Sequence, residues 1–170
     1  NSNREKYLKK LIKFAGKNFE KAFLMSAGTE ATEAALKLMR LYGQKTKKRK
    51  LGIICIDGNW HGRTMGAQMM SGNKKQKKWI GYTDKNIHHI NFPYPWELEN
   101  ITPRDFLNKS LKKLKKKIDL KKDICGFMLE TFQGWGAIFY PKEFVSEISK
   151  LCKKNNILLT FDEMQAGFGR

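Results

Sequence analysis

Long apolar runs, paired cysteines, arginine and acidic residues are all scarce in this 170-residue chain, and each shortage removes a class of function. The longest hydrophobic stretches are strand-sized and broken by charges, well short of the roughly 20 residues a membrane helix needs. The polar, basic opening NSNREKYLKK has no apolar centre of the kind a signal peptide carries. The expectation is a cytoplasmic protein with no membrane partner. Cys55, Cys125 and Cys152 are odd in number, share no CxxC spacing and lie inside apolar segments, so they read as reduced core thiols rather than disulfides or metal ligands. Histidine is equally sparse. His61 has no second histidine or cysteine at ligand spacing, and the adjacent His88 and His89 would point to opposite sides of a strand, so no metal site is expected. Absent too are GxSxG, HExxH and GxxxxGK(S/T), which removes several hydrolase and nucleoside-triphosphatase readings.

Positive charge is plentiful: 34 basic against 16 acidic residues gives a formal net charge of +18. Only Arg4, Arg40, Arg49, Arg63, Arg104 and Arg170 are arginines. The lysines are densest over 107–123, where Leu107, Leu111, Leu114 and Ile118 recur at helical spacing, the pattern of an amphipathic helix with a solvated lysine face. Nucleic-acid readers add arginine forks and aromatic stacking platforms. This region has neither, and no nucleic-acid partner is expected.

Along the chain, strands and helices alternate. Helices are predicted over 4–15, 29–42, from about 63, over the lysine-rich segment after Pro103, and over 142–154; apolar runs predict strands at 21–25, 51–57, 88–92, 124–130 and 157–162. Residues 71–86 read as a lysine-rich surface loop. This rhythm predicts an α/β fold, a three-layer α/β/α arrangement with a largely parallel, doubly wound sheet. No repeat or linker divides residues 1–170, which are expected to be a single partial domain. The chain does not begin on methionine and stops on Arg170 directly after a glycine turn, as a fragment would.

Three strand-end motifs and the terminal segment carry chemistry. In FLMSAGTEATEAALKL (23–38) a strand runs into the small residues Ser26, Ala27, Gly28 and Thr29 before a helix, so open amides at the positive dipole end can receive a phosphate or other anion. On its own such a turn is equally a plain helix cap followed by the helix-favouring Glu30. In DGNWHGRTMGA (57–67) the Trp60 ring can stack on a planar ligand and Arg63 can hold a carboxylate, although a packing tryptophan and a surface arginine fit the same letters. In LETFQGWGAIFYP (129–141) Glu130 and Gln133 follow a buried strand, and the GWG does not open a helix in the dinucleotide-binding GxGxxG form. Finally, ILLTFDEMQAGFGR (157–170) places Asp162 and Gln165 at the tip of a strand, where open α/β sheets bind ligands.

Taken together, SAGTEATEAALKL, NWHGRT, ETFQGWGA and FDEMQAGFGR resemble, in order and interval, the class III aminotransferases, a branch of the fold-type I pyridoxal-phosphate enzymes. The resemblance spans nearly the whole chain, and implies that the chain is part of the large cofactor-binding domain. It implies pyridoxal 5′-phosphate as cofactor, with Gly28 and Thr29 at the phosphate, Trp60 and Met164 on the two faces of the ring, Asp162 at the ring nitrogen, Gln165 near the ring hydroxyl, Glu130 supporting the site and Arg63 at a substrate carboxylate. The implied reaction moves an amino group from an ω-amino acid or similar amine to a 2-oxo acid by a ping-pong route in a homodimeric parent. An aminomutase, racemase or decarboxylase could use the same ring environment; a non-catalytic basic nucleic-acid-binding domain is the reading from a different class. The chain departs from the family pattern at Trp135, where many members have an acidic or small residue, and at Ala137, where they have glycine. The family's cofactor-tethering lysine lies downstream of the DEMQ segment, so no lysine here is assigned that role and the 170-residue chain alone is expected to be inactive.

Overall fold

The computed structural model describes residues 2–169. Four parallel strands form the central sheet: β1 (Gly52–Ile56), β2 (Ile87–Ile90), β3 (Ile124–Glu130) and β6 (Leu158–Asp162), in spatial order β2-β1-β3-β6. The two-residue strands β4 (Phe132–Gln133) and β5 (Ile138–Phe139) make a separate antiparallel pair. β1 and β3 are buried along their whole length, which is why they read as continuous apolar runs rather than alternating ones.

Helices cover both faces. Leu36 and Met39 of α2 (Gly28–Lys45) and Met70 of the short α3 (Met65–Met70) pack against Ile53, Cys55, Cys125 and Met128. On the opposite face α4 (Pro103–Lys115) and α6 (Lys142–Asn155) bring Phe106, Leu111, Phe144 and Ile148 onto Ile54, Ile56, Phe127 and Leu129. Helix α4 starts as its sequence indicates, with Pro103 in the first turn and the Thr102 hydroxyl accepting the Asp105 N–H at 3.1 Å. The lysine-rich segment breaks after Lys115 and resumes as α5 (Leu120–Asp123), capped by Asp119, whose carboxylate accepts the Lys121 and Lys122 N–H groups. All three cysteines are free and buried, and burial pushes the Cys55 and Cys152 thiols up to about 12.

Three local expectations are revised. Residues 21–25 form no strand; Phe23, Leu24 and Met25 are exposed, since no neighbour among the described residues offers them a ladder. Among the described residues β6 pairs on one side only, with β3, and Phe161 is exposed rather than covered. The 71–86 loop contains a 3₁₀ turn over Lys75–Ile80. N-terminal α1 (Ser2–Ala15) buries no residue fully and touches the far end of the chain through Phe14, whose ring stacks on Phe168 at 5.0 Å.

Because the strands are parallel, the carboxyl ends of β1, β3 and β6 emerge at one edge of the sheet. The register sets Glu130 directly opposite Asp162. That edge carries the candidate site.

Candidate active site

Asp162 ends β6 with its carboxylate almost entirely buried. One oxygen, Oδ1, accepts the Met164 N–H at 3.1 Å; the other, Oδ2, lies 2.9 Å from Nδ1 of His61. A carboxylate only accepts, so Nδ1 carries the proton in this pair. His61 is held from both directions: its backbone N–H donates to Ser71 Oγ at 2.8 Å and its carbonyl accepts the Thr32 hydroxyl at 2.7 Å. Its Nε2 is buried with no hydrogen-bond partner among the described residues. The buried Glu130 carboxylate accepts the Trp60 N–H at 3.0 Å, which fixes the loop leaving β1 to the end of β3. Burial raises the Glu130 carboxyl above its usual range, against the opposing pull of that hydrogen bond.

The start of α2 supplies the anion-receiving end. Ala27 occupies the cap position and offers no side-chain cap, which leaves the first-turn amides at Gly28 and Thr29 open, while the Glu30 carboxylate turns back to accept the Ser26 N–H at 2.9 Å. Thr64 donates its hydroxyl proton to Glu33 at 2.6 Å, so the 2.9 Å contact between the Thr29 and Thr64 hydroxyls must be donated by Thr29. Thr29 is thereby left with its backbone N–H, rather than its hydroxyl, for an anion. Glu33 also accepts the Gly66 and Ala67 N–H groups at 2.8 and 3.0 Å, tying α2 to the start of α3.

Two close approaches join the motifs. A Cβ on Gly28 would lie 2.7 Å from Met164 Sδ, so the Met164 side chain of the DEMQ turn packs directly on the bare backbone of the small-residue turn. A Cβ on Gly134 would fall 1.8 Å from Gln165 Oε1, so the Gln165 side chain lies directly over bare backbone. Trp60, Trp135, Asn59 and Gln165 line a cavity of about 900 Å³ at this edge. The Trp135 indole N–H donates to the Gly58 carbonyl at 3.0 Å, bridging the loops after β1 and β3. Ala137 adopts the left-handed backbone (φ 49°) that a glycine would take without strain.

The structure thus brings Gly28, Thr29, Trp60, Glu130, Asp162, Met164 and Gln165 to one edge. Arg63 is exposed and stacks on Trp60, its Cζ 5.3 Å from the ring centroid. Arg170, the last residue of the FDEMQAGFGR segment, lies outside the described residues. Sequence reasoning missed His61, weighing it only as a metal ligand. Its one signal was its position beside Trp60 in a strand-end loop, while its partner lies 101 residues away. Glu33 was missed for the same reason: its partners belong to another helix.

A parallel sheet with an open helix N-terminus, an aromatic side chain and a buried carboxylate at one strand edge defines an α/β domain with a ligand site at the carboxyl ends of its strands. A model of the class-III aminotransferase family matches residues 1–170, and the chain belongs to that family. Among curated proteins it is 37% identical to the mitochondrial acetylornithine aminotransferase of Candida glabrata, over 98% of this chain and 36% of that protein. It is 34% identical to ornithine aminotransferase 1 of Staphylococcus saprophyticus, over 99% of this chain and 39% of the relative. Among solved structures it aligns with an amine transaminase from an uncultivated Pseudomonas species in the PLP-bound form, with a TM-score of 0.84 at 25% identity, covering 98% of this chain and 39% of that one. The chain therefore spans well under half the length of the relatives it matches. Among the described residues, no helix is long and apolar enough to cross a membrane and no cluster of three or more potential metal ligands occurs.

Proposed function

We propose that this chain is the cofactor-cradling part of the large domain of a class III aminotransferase that uses pyridoxal 5′-phosphate, and that the whole protein moves an amino group lying far from a carboxylate onto a 2-oxo acid. The observation that carries this reading is the buried Asp162 carboxylate, held by His61 and the Met164 N–H, at the same edge as the open amides of α2. The residues fit the cofactor: an anion-receiving helix end, an aromatic and an apolar wall, and a fixed carboxylate between them.

When bound, the cofactor supplies an electron sink for the charge released at the substrate's Cα. Asp162 would hold the ring nitrogen, and a carboxylate there would favour its protonated form. His61 and the Met164 N–H fix that carboxylate's orientation. Gly28 and Thr29 would hold the phosphate by backbone amides, Trp60 and Met164 would wall the ring, and Gln165 would lie near the ring hydroxyl. Glu130 acts by restraining the Trp60 loop, and Arg63 holds the substrate carboxylate once it leaves the Trp60 face. We assign the tethering lysine to sequence beyond residue 170, and the working state to a cytoplasmic homodimer.

The test is donor-dependent glutamate formation by the full-length protein. Supplied with pyridoxal phosphate and 2-oxoglutarate, it should form glutamate from N-acetylornithine or ornithine, with the parallel double-reciprocal lines of a ping-pong enzyme. Cofactor uptake without amine transfer to any 2-oxo acid would overturn the aminotransferase reading.

A further inference from the structure

The edge of the sheet opposite the candidate site gathers much of the chain's positive charge. Strands β1, β3 and β6 begin there, so the helices that precede them end there: α2 at Lys45, α4 at Lys115 and α6 at Asn155. Residues 45–50, 115–122 and 153–154 together hold twelve lysines and arginines and one acid, Asp119. Hydrogen bonds join the three spans. The Arg49 N–H donates to the Lys122 carbonyl at 2.7 Å, and the buried Lys48 Nζ donates to the Lys121 and Asn155 carbonyls at 2.5 and 2.8 Å. Every other basic residue in the spans is exposed.

The protein itself neutralises little of this charge. A helix dipole places about half a negative charge at a C-terminus, so the three helix ends offset a small part of it. Asp123, buried beside the second span, takes Arg49 at 2.8 Å and Lys50 at 3.4 Å, and Asp119 lies 4.0 Å from Lys122. Among the described residues, the lysines at 45, 47, 115–117, 121 and 153–154 have no acidic partner within ion-pair distance. Holding them together costs stability through self-repulsion, which an external polyanion relieves.

The same spans indicate which polyanion fits. No large apolar or aromatic side chain is exposed in them, so nothing there enters a lipid layer or stacks on a base. Arg49 is their one arginine and is already paired with Asp123, which leaves no fork for a base edge. A groove of about 340 Å³ runs from this edge between α4 and α6, with Lys115 and Lys154 at its wall. Elsewhere along it Glu147 already holds Arg104 and Lys150, at 3.0 and 2.8 Å. The groove is at the small end of ligand cavities; it admits a slender chain and not a two-stranded rod.

We propose that this face docks an unbranched polyphosphate chain. The lysines meet its phosphates as point charges, and one stretch of the chain lies in the groove between α4 and α6. Such a chain has no bases and asks for no stacking or base-reading group, which is what the face lacks. The surface lies at the far edge of the sheet from the cofactor residues and does not depend on them.

The test uses the full-length protein loaded with pyridoxal phosphate, so that its phosphate site is occupied. Binding of end-labelled long-chain polyphosphate is followed by fluorescence anisotropy at physiological ionic strength and should weaken as salt is added. Combining Lys115→Gln, Lys116→Gln and Lys154→Gln should weaken it about tenfold, in keeping with the modest worth of each exposed charge pair, and leave the circular dichroism spectrum unchanged. Lys9→Gln, Lys10→Gln and Lys13→Gln together remove the same charge from α1 and should change the affinity less than about twofold, since α1 is not part of the face. An equal loss in the two triple variants would overturn the site, because bulk charge alone would then explain binding. Absence of polyphosphate binding would overturn it too. Equal affinity for poly(U), duplex DNA, polyglutamate or phosphatidylserine vesicles would overturn the choice of occupant.

Discussion

Replacing His61 by phenylalanine tests whether the imidazole serves Asp162. The Asp162 side chain is 5% exposed and has two protein hydrogen bonds, from Met164 N–H and from His61 Nδ1. The phenyl ring fills the imidazole's space and removes one of them. A hydrogen bond to a charged group contributes about 1.5–3 kcal/mol, and at this burial little water is at hand to replace it. The full-length protein should therefore lose about 1.5–3 kcal/mol, read as a lower urea midpoint with an unchanged m-value. Pyridoxal-phosphate affinity, followed by fluorescence titration at fixed pH, should fall because the carboxylate loses one of its two orienting contacts. His61→Asn places an amide N–H close to the Nδ1 position and should recover most of both effects. A phenylalanine variant with the parent's midpoint and cofactor affinity, or an asparagine variant as impaired as phenylalanine, would refute the reasoning.

Gly28→Ala puts a methyl group 2.7 Å from Met164 Sδ, the end of a flexible side chain that can swing aside; the fold should survive, but equilibrium dialysis should show weakened pyridoxal-phosphate binding, and unchanged affinity would contradict the shared role of the two turns. Phe144→Ala, at a fully buried ring stacked on Tyr140 at 5.8 Å, should cost about 3–5 kcal/mol in urea unfolding. For Glu130 the raised carboxyl means that the folded state holds its proton more tightly than the unfolded chain. Its contribution to stability should thus fall as the pH rises from about 4.3, the unfolded value, through the raised folded value, and then level off. Glu130→Gln keeps an acceptor for the Trp60 N–H and should flatten that fall; an equally steep fall in the variant, measured by thermal unfolding across the acid range, would count against the assignment.

Much of the fold was legible because its signals are local. The apolar runs at 51–57 and 124–130 are strands because both faces are covered, and Pro103 fixes the backbone in the first turn of α4 while Pro141 does so at the cap of α6. The 21–25 run carries the same apolar signal and is no strand, because a strand needs a partner and the sequence does not say who that is. Similarly, the terminal apolar run identified β6 but not its place at the edge of the described sheet. Within the site, the small-residue turn, Trp60, Glu130 and Asp162 could be chosen from the residues alone, since each sits where a strand or helix ends.

The sequence by itself determined which chemical groups are present and that they fall at the ends of regular elements, because helix and strand periods and glycine turns are set by neighbours along the chain. Only the tertiary structure decided who meets whom. Parallel register put Glu130 beside Asp162, close packing laid Met164 on Gly28, and the loop after β1 carried His61 to Asp162 and Gly58 to Trp135. Those contacts join residues from about 30 to over 100 positions apart, a distance at which no local pattern in the chain can specify geometry. Lys77 is a further case: in sequence it is one lysine among 34 basic residues, and folding alone brings its amine to the Met69 carbonyl and to within 3.1 Å of His89 Nε2.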